Sequence, residues 1–502
     1  MQNIAAIDIG SNAMRMVIGR VDHEGKLETI ENLRLPVRLG QDVFSNGQIG
    51  EETAQLAVDA FVRFRKVADD YKVEKIRAVA TSAMREAANS ELLCDRILHT
   101  TNIGIDVIHG DEEARLIHLA VGKAVNLKSR RAMLIDIGGG SVEVTLSQDG
   151  TILSTESYNM GTVRLLQKLS DKPSRLSFDQ LVREYAEAAR RRIEREIGNK
   201  KIDLCIGTGG NIEEMGALRK RVFKRDSDQF ITLAELEKLI ETLSRLTVEE
   251  RKRKFKLKPD RADVILPASI VLHMIAQEAH VQEVKIPNVG LKDGILLDLA
   301  QSLNREMRLS PREQVWTSAM QLGEKYQFDA EHADLVSFLA GSLFEQTQTL
   351  HNLDHENKLL LEVAALLHDI GHFISTMDHD KHAYYILQAS PLIGLTGSQT
   401  NIVANVMRYH RKTVPSIQDE NFRALTPKER LTVTKLSALL RLADAMDVSH
   451  TMRVNNVRIA KVKNKWSLKI SGEGGLSLEL WALEKRRSLF QEVFGMKLEI
   501  EN

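Results

Sequence analysis

IAAIDIGSNAMRMVIGRV (residues 4–21) and RAMLIDIGGGSVEVTLSQ (residues 131–148) are two copies of one pattern. Each copy consists of an apolar run that ends in Asp-Ile-Gly, a few small or polar residues, and a second apolar run. Apolar runs separated by glycine predict a strand, a tight turn and a second strand. The aspartates of the two copies, Asp8 and Asp136, are 128 residues apart. A repeat at this spacing predicts two similar lobes that face each other across a cleft.

Strand-like and helical segments alternate around both copies, which is typical of an α/β fold. Apolar residues recur at helical spacing over residues 52–71 and 112–125, before the second copy begins. We place lobe I at residues 1–125 and lobe II at residues 126–305. The segment GLKDGILLDLA (290–300) is expected to close lobe II.

The character of the chain changes at about residue 310. Helical patterns dominate from there, and nine of the 15 histidines lie between His332 and His450. We therefore predict an all-α domain over residues 310–452. The remaining residues, 453–502, follow the order strand pair, helix, strand, which predicts a small α+β segment.

Composition and charge narrow the classes of partner. Lys+Arg and Asp+Glu are balanced at 69 each, so net charge does not favour a specific nucleic acid or a membrane surface. The opening MQNIAAIDIG lacks the pattern of a secretory signal, and no run of about 18 apolar residues is present. Cys94 and Cys205 lack metal-ligand spacing and are expected to be buried thiols. These features predict a cytoplasmic protein without a membrane span.

Three glycine-rich turns are candidate phosphate sites: DIGSN (8–12), DIGGGS (136–141) and GTGGN (207–211), the last with Gly209. Glycine permits positive φ and close approach, so successive backbone N–H groups can point at phosphate oxygens. One such turn alone is compatible with an ordinary hairpin or strand–helix turn. Two copies in register favour phosphate binding, and Asp8 and Asp136 are placed to hold Mg²⁺.

Charged residues between the two copies suggest hydrolysis. Arg85, near the start of a predicted helix, can clamp a phosphate in a bidentate manner. Glu112 and Glu113 lie in the first turn of another helix, where they either complement the helix dipole or supply a general base for water. Glu143, after the second glycine turn, can assist through the metal or the water.

The motifs DIGSNAMRMVI, ATSAMREA, GDEEARLI, IDIGGGSVEV, GTGGN and RADVILP…GLKDGIL together resemble, in order, those of the exopolyphosphatase/guanosine-pentaphosphate phosphatase family. The resemblance covers residues 1–300. It implies the duplicated ribonuclease-H-like fold shared with actin, sugar kinases and heat-shock ATPases. It also implies Mg²⁺-dependent hydrolysis of terminal phosphoanhydride bonds in inorganic polyphosphate or guanosine pentaphosphate, and a homodimer.

The resemblance assigns roles to residues that match its motifs. Glu113 is the expected catalytic base, Arg85 binds phosphate, and Asp136 and Glu143 hold the metal and the attacking water. Residues of the two turns are expected to cradle the phosphates: Ser11, Asn12, Gly138, Gly139 and Ser141. The stretch Ala13-Met14-Arg15 departs from the family pattern, with a consequence expected for substrate preference.

The histidine-rich part carries a second candidate site. His332, the adjacent pair His368-Asp369, and Asp444 resemble the H…HD…D motif of HD metal-dependent phosphohydrolases, which identifies residues 310–452 as an HD-type domain. Imidazole and carboxylate ligands suit Mn²⁺, Fe or Zn²⁺. His382 and His410 are either ligands of a second metal or ordinary polar histidines. The site itself is catalytic, structural or a relic.

Several readings of function stay open at this point. The leading one is an exopolyphosphatase, and the closest alternative is a guanosine pentaphosphate 5′-phosphohydrolase. The HD-type half is a further candidate for nucleotide hydrolysis. An actin-like nucleotide sensor without turnover is disfavoured, because it has no need of the GDEEAR helix and Arg85. The basic run from Arg251 to Arg261 is either a solvated face or a track for a long polyanion.

Overall fold

The computed structural model describes residues 1–22, 25–169, 177–198, 201–303, 309–462 and 465–501. The chain divides into two compact units, an N-terminal unit (Met1–Arg308) and a C-terminal unit (Leu309–Asn502). Among the helices of the described residues, none is both long enough and apolar enough to cross a membrane.

The N-terminal unit contains two α/β lobes, each built on one sheet. The elements of the first lobe are β1 (Gln2–Ile9), β2 (Met14–Val21), β3 (Leu27–Leu35), α1 (Leu39–Asn46), α2 (Glu51–Asp70), β4 (Lys75–Ala80), α3 (Ser82–Glu86), α4 (Ser90–Thr101), β5 (Ile105–Val107) and α5 (Gly110–Ala124). Those that follow are β6 (Arg131–Ile137), β7 (Val142–Gln148), β8 (Thr151–Tyr158), α6 (Thr162–Leu169), α7 (Phe178–Ile197), β9 (Leu204–Thr208), α8 (Gly210–Phe223), β10 (Phe230–Thr232), α9 (Leu233–Ser244), α10 (Val248–Phe255), α11 (Pro259–Ala262), α12 (Ile265–Glu278), β11 (Glu283–Lys285) and α13 (Leu291–Leu303).

The two sheets repeat one topology. The first has the strand order β3-β2-β1-β4-β5, and the second has β10-β11-β9-β6-β7-β8. In each, three antiparallel strands are followed by a strand parallel to the first, β4 beside β1 and β9 beside β6. Asp8 lies opposite Arg15 across its hairpin, and Asp136 lies opposite Glu143. The predicted duplication is therefore confirmed down to the register of the two aspartates.

Helix α13 crosses between the lobes. We placed its sequence at the end of lobe II, but the helix packs on β1, β2 and α5. Ile295 and Leu296 are buried in a core shared with Ile4 and Val17 of the first two strands. Gly294 allows the close approach, because a Cβ there would meet the backbone of Leu116 on α5. The last helix of the N-terminal unit thus covers the sheet that contains the first strand.

The C-terminal unit begins as a helical array and ends in a small sheet. Its elements are α14 (Leu309–Lys325), α15 (Ala330–Gln346), α16 (Gln348–His351), α17 (Glu356–Leu367), a 3₁₀ helix (Ile370–Phe373), α18 (His379–Ala389), α19 (Gly397–Arg408), α20 (Glu420–Arg423), α21 (Pro427–Ala445), β12 (Val454–Val462), β13 (Lys465–Gly472), α22 (Ser477–Phe494) and β14 (Leu498–Glu501). The predicted order of strand pair, helix and strand is present. One core runs from Phe344 through Leu439 to Phe490, so the closing segment packs as part of this unit.

Candidate phosphate cleft and histidine cluster

The two repeated turns face each other across the cleft of the N-terminal unit. Each is a two-residue hairpin closed by a backbone bond of 3.1 Å, from Gly10 N to Ala13 O and from Gly138 N to Ser141 O. A Cβ on Gly139 would lie 2.9 Å from Ser11 Cβ. Only glycine therefore lets the second turn approach the first this closely.

The cleft contains a pocket with a volume of about 80 Å³, and residues of all three glycine turns line it. Gly209 has φ 91° and precedes the first turn of α8, a conformation that favours glycine. The Oγ1 of Thr208 donates a hydrogen bond of 2.5 Å to Asp136 Oδ1, which fixes that carboxylate. The predicted cradle residues all line the pocket: Ser11, Asn12, Gly138, Gly139, Ser141 and Gly209.

Four carboxylates lie at the base of the cleft: those of Asp8, Glu113 and Glu143 are buried, and that of Asp136 is half-buried. Oxygens of the last three lie within 4.8 Å of one another. Burial raises the pKa of Asp8 to about 6 and that of Glu143 to about 7. Burial, followed by the charge of Glu143, holds the pKa of Glu113 well above its usual range. Like charges this close cannot all ionise without a compensating cation.

The donor set fits a hard divalent cation. The Oε2 atoms of Glu113 and Glu143 are buried and have no hydrogen-bond partner within the described residues. Buried carboxylate oxygens without partners are costly, and oxygen ligands are those that Mg²⁺ prefers. The same two oxygens are therefore candidates for metal or water contacts.

The two glutamates at the start of α5 point to different surroundings. Glu112 accepts bonds of 2.7 and 2.9 Å from Arg115, and lies 3.4 Å from Arg77. Glu113 is buried with the cleft carboxylates. Of these two glutamates, only Glu113 is therefore placed to accept a proton from water in the cleft.

Arg85 and the basic run differ in part from expectation. Arg85 Nη1 donates a 2.6 Å hydrogen bond to Ile108 O. Its charge opposes the burial that raises the pKa of Glu113, but Arg85 is not among the described residues that line the pocket. Arg251 is buried and donates to the carbonyls of Leu243 and Ala262. Arg251 is therefore not part of an exposed basic face, because its side chain is used inside the lobe, whereas Arg253, Lys254, Lys256 and Lys258 of the same run are exposed.

Two arginines to which the sequence analysis gave no role inside the cleft line the pocket, Arg15 and Arg261. Arg261 is 9% exposed, and its Nη1 donates a 2.8 Å hydrogen bond to Asn211 Oδ1. Burial, with the charges of Arg15 and Arg34, lowers the pKa of Arg261 to about 10. Within the described residues no carboxylate forms an ion pair with it. A buried guanidinium of this kind is suited to an anionic ligand.

The C-terminal unit gathers the predicted metal ligands from three helical segments. His332 lies on α15, His368 caps the end of α17, Asp369 follows it, and Asp444 lies on α21. His332 Nε2 is 3.4 Å from His368 Nε2, and His368 Nε2 is 3.7 Å from Asp444 Oδ1. Atoms of these three residues lie within 4.8 Å of one another. The sequence therefore identified residues that do converge.

The structure separates the two histidines for which a second metal site was one alternative. His410 joins the cluster, where its Nε2 lies 3.6 Å from Asp369 Oδ1. His382 belongs to none of the convergent groups among the described residues. Its place is taken by His379, whose Nε2 lies 3.3 Å from the same oxygen. His379 and His382 both lie on α18, where His379 is buried and His382 is half-buried.

Residues beyond the motif complete the surroundings. Asp447 accepts a 2.8 Å bond from His332 Nδ1, and Arg486, from α22, forms an ion pair with Asp444. A neighbouring pocket of about 330 Å³ includes Asp369 and Arg486 in its lining. The closing α+β segment thus contributes a side chain to this site.

Comparison with known proteins gives the family. Residues 17–303 match the model of the Ppx/GppA phosphatase family, and residues 316–486 match that of Ppx/GppA phosphatase domain III. The chain belongs to the Ppx/GppA phosphatase family. It is therefore a hydrolase of the class that cleaves phosphoanhydride bonds, and one that depends on a divalent metal.

Relatives in the Ppx/GppA family align along most of the chain. The guanosine-5′-triphosphate,3′-diphosphate pyrophosphatase of Photobacterium profundum is 26% identical over 447 residues, which cover 88% of this chain and 85% of that protein. The protein of the same name from Vibrio parahaemolyticus is 26% identical over 445 residues, covering 87% and 86%.

Solved Ppx/GppA structures resemble a smaller share of the chain. An exopolyphosphatase from Cytophaga hutchinsonii is 26% identical with a TM-score of 0.57, covering 60% of this chain and 98% of that one. The Aquifex aeolicus family member is 25% identical with a TM-score of 0.52, covering 61% and 99%. These likenesses agree with the actin-like two-lobed fold. The C-terminal match is to Ppx/GppA domain III, so the HD-type identity stays a prediction.

Proposed function

We propose that this Ppx/GppA phosphatase releases terminal phosphate from inorganic polyphosphate in the cleft between the two lobes, with Mg²⁺ as the cation. The observation that carries the proposal is the cluster of carboxylates beside two facing glycine turns, in which two buried oxygens have no hydrogen-bond partner among the described residues. The similarity of this chain to a solved exopolyphosphatase, with a TM-score of 0.57, also supports polyphosphate as the substrate.

Each side chain has a distinct role in this proposal. Glu113 accepts a proton from water at its unpartnered Oε2, and Glu143 orients that water or the cation. Asp8 and Asp136 hold Mg²⁺, which when bound offsets the negative charge of the carboxylates and of the phosphoryl group. The transferred group spreads negative charge over its equatorial oxygens, so catalysis depends on positioning and positive potential.

The phosphate chain is held from both lobes. The turns supply backbone N–H groups and small side chains from Ser11, Asn12, Gly138, Gly139, Ser141 and Gly209. Arg261 and Arg15 supply positive charge within the pocket. Arg85 does not line the pocket, and its positive charge acts on the carboxylate of Glu113. The family resemblance also leads us to propose a homodimer in the cytoplasm.

Guanosine pentaphosphate is the second candidate substrate. The two relatives that align with most of the chain carry the name of a guanosine-5′-triphosphate,3′-diphosphate pyrophosphatase. Both substrates end in a phosphoanhydride, so one set of turns and carboxylates serves either of them.

In the C-terminal unit, we propose a metal held by His332, His368, Asp369 and Asp444. The site combines buried imidazoles with carboxylates, which favours Mn²⁺, Fe or Zn²⁺ over Ca²⁺.

The Glu113→Gln variant tests the cleft. It keeps the side-chain volume but removes the proton acceptor, so turnover should fall by roughly 10²-fold or more, while substrate affinity persists. Phosphate release is measured from long-chain polyphosphate and from guanosine pentaphosphate, each with Mg²⁺. Glu112→Gln, one residue away and paired with Arg115, is the matched control and should retain turnover. Near-wild-type release by Glu113→Gln on both substrates contradicts the proposal.

A further inference from the structure

The second glycine turn is bonded to the start of α6 in lobe II. Val163 N donates a hydrogen bond of 2.8 Å to Gly139 O. The side chain of the next residue, Arg164, donates from Nε to Gly140 O at 2.7 Å. Backbone and side-chain hydrogen bonds therefore connect this phosphate-binding turn to the helix that carries Arg164.

The guanidinium of Arg164 also contacts two helices of lobe I. Its Nη2 donates to the carboxylate of Glu86 on α3, and its Cζ lies 4.1 Å from the ring centroid of Phe44 on α1. Arg164 is buried, and burial strengthens both contacts because little water competes for the cation. One side chain thus connects the second turn to the opposite lobe.

Helix α3 contacts both glycine turns. Its first residue, Ser82, shares a hydrogen bond of 3.0 Å between hydroxyl oxygens with Ser11 of the first turn. A Cβ on Gly140 of the second turn would collide with the same hydroxyl of Ser82. The last residue of this helix is Glu86, the partner of Arg164. The Arg164–Glu86 pair therefore holds against lobe II the helix at which the two turns meet.

The spacing of the two turns decides whether both can bind one chain of phosphates. Each turn offers backbone N–H groups, and a hydrogen bond weakens steeply when its donor and acceptor are misplaced. Arg164 is not among the described residues that line the pocket. Its effect on a bound phosphate chain therefore passes through the position of the second turn relative to lobe I.

We propose that Arg164 is a positioning residue for phosphate binding, which sets the spacing of the two glycine turns through its bonds to Gly140 O and Glu86. This inference rests on the proposed function of the cleft and adds a residue that does not touch the substrate. When Arg164 is lost, the substrate itself has to supply the free energy that held the lobes together, so affinity falls.

Another buried arginine of lobe II has the same kinds of partner and serves as a matched control. Arg219 donates to Ser227 O at 2.7 Å and pairs with Glu235 at 2.6 Å. Its Cζ lies 3.9 Å from the ring centroid of Phe230. These three partners all belong to lobe II. Arg164 and Arg219 are each 5% exposed, so substitution by Met should cost similar stability, but only Arg164→Met should alter contact between the lobes.

Binding of long-chain polyphosphate to Glu113→Gln protein, measured by calorimetry, tests the positioning role. We expect Arg164→Met to raise the dissociation constant roughly 10- to 150-fold, as for loss of a charge-assisted hydrogen bond. Arg219→Met should lower Tm as much as Arg164→Met does, but should leave the dissociation constant within about two-fold of the parent value. Arg164→Lys keeps the cation without the planar fork, and should bind at least about three-fold more tightly than Arg164→Met.

Glu86→Gln tests the same pair from lobe I. It keeps the side-chain volume but removes the charge, so the dissociation constant should rise at least about three-fold. Added to Arg164→Met, it should weaken binding no further, because the pair is already lost and effects within one pair do not add. Additive effects contradict the assignment to this pair.

Parent-like affinity in folded Arg164→Met, or an equal loss of affinity in Arg219→Met, overturns the proposal. If Arg164→Met does not fold, Glu86→Gln decides alone, and an unchanged dissociation constant then overturns it. Either result leaves the cleft proposal in place, since the parent still binds polyphosphate. Absence of polyphosphate binding in the Glu113→Gln parent contradicts the cleft proposal, and this inference with it.

Discussion

Arg261 illustrates what a single residue contributes to the cleft. Its guanidinium is buried beside Arg15 and bonded to the side-chain oxygen of Asn211. Two nearby cations raise the free energy of the empty cleft, and a bound polyanion relieves this repulsion. Affinity for phosphate should therefore depend on this side chain more than on the exposed cations of the same basic run.

Substitution of Arg261 by Met tests this dependence. Loss of a charge-assisted contact of about 1.5–3 kcal/mol corresponds to roughly a 10- to 150-fold loss of affinity. We expect the dissociation constant for polyphosphate, measured by calorimetry with Glu113→Gln protein, to rise by this factor. Arg253→Met removes an exposed cation of the same run and serves as control. Equal effects of the two substitutions contradict the special role of Arg261.

Sequence alone distinguished some residues and not others. Asp8 and Asp136 were predictable because repeated strands impose the same register on both. His379 was not separable from His382, because both are polar residues on one helix and neither shows which face is inward. Arg261 lies about 250 residues from Ser11 and Asn12, and no periodicity relates positions so distant.

At the scale of elements, the repeated strand–turn–strand units follow from local pattern, whereas the position of α13 does not. The apolar pattern of α13 predicts a helix that packs on a sheet but does not show which sheet. Its position in the chain favours lobe II. Contact with α5 and β1 is decided by shape, since Gly294 leaves space for the backbone of Leu116.

Gly294→Ala measures how tight this contact is. An added Cβ meets backbone atoms that cannot rotate away, so overpacking of about 1–3 kcal/mol should exceed the helix-propensity gain of about 1 kcal/mol. We expect a lower urea midpoint of unfolding. Gly104→Ala, in a loop of the first lobe with no atom within 4 Å of an added Cβ, should unfold as the wild type does. An unchanged midpoint for Gly294→Ala contradicts the close packing.

At the scale of the N-terminal unit, ion pairs join the lobes beside the cleft. Arg34 pairs with Asp260, and Arg38 Nη1 lies 2.9 Å from Asp263 Oδ2. Asn12 of the first turn also donates a 2.9 Å hydrogen bond to Asp260 O. Because these contacts cross from one lobe to the other, they stabilise the arrangement in which the two turns face each other.

Loss of one such pair should weaken substrate binding more than folding. A partly exposed ion pair contributes roughly 0.2–1 kcal/mol, so Arg38→Met should raise KM for polyphosphate by up to about five-fold with a similar Tm. Steady-state kinetics and thermal unfolding measure the two effects. Arg65→Met, which removes a pair within α2, is the control. An unchanged KM for Arg38→Met, or an equal rise for Arg65→Met, contradicts a role in lobe closure.

The position of α13 also affects biosynthesis. A ribosome completes β1 at Ile9 but does not complete α13 until Leu303. At roughly 5–20 residues per second, the interval is on the order of 15–60 s. During this interval Ile4 and Ala6 are not yet covered by α13. The nascent chain therefore exposes a hydrophobic strand to other proteins. We expect ribosome-associated chaperones to bind this strand. Transcripts truncated before α13 should yield protein fragments that proteases degrade.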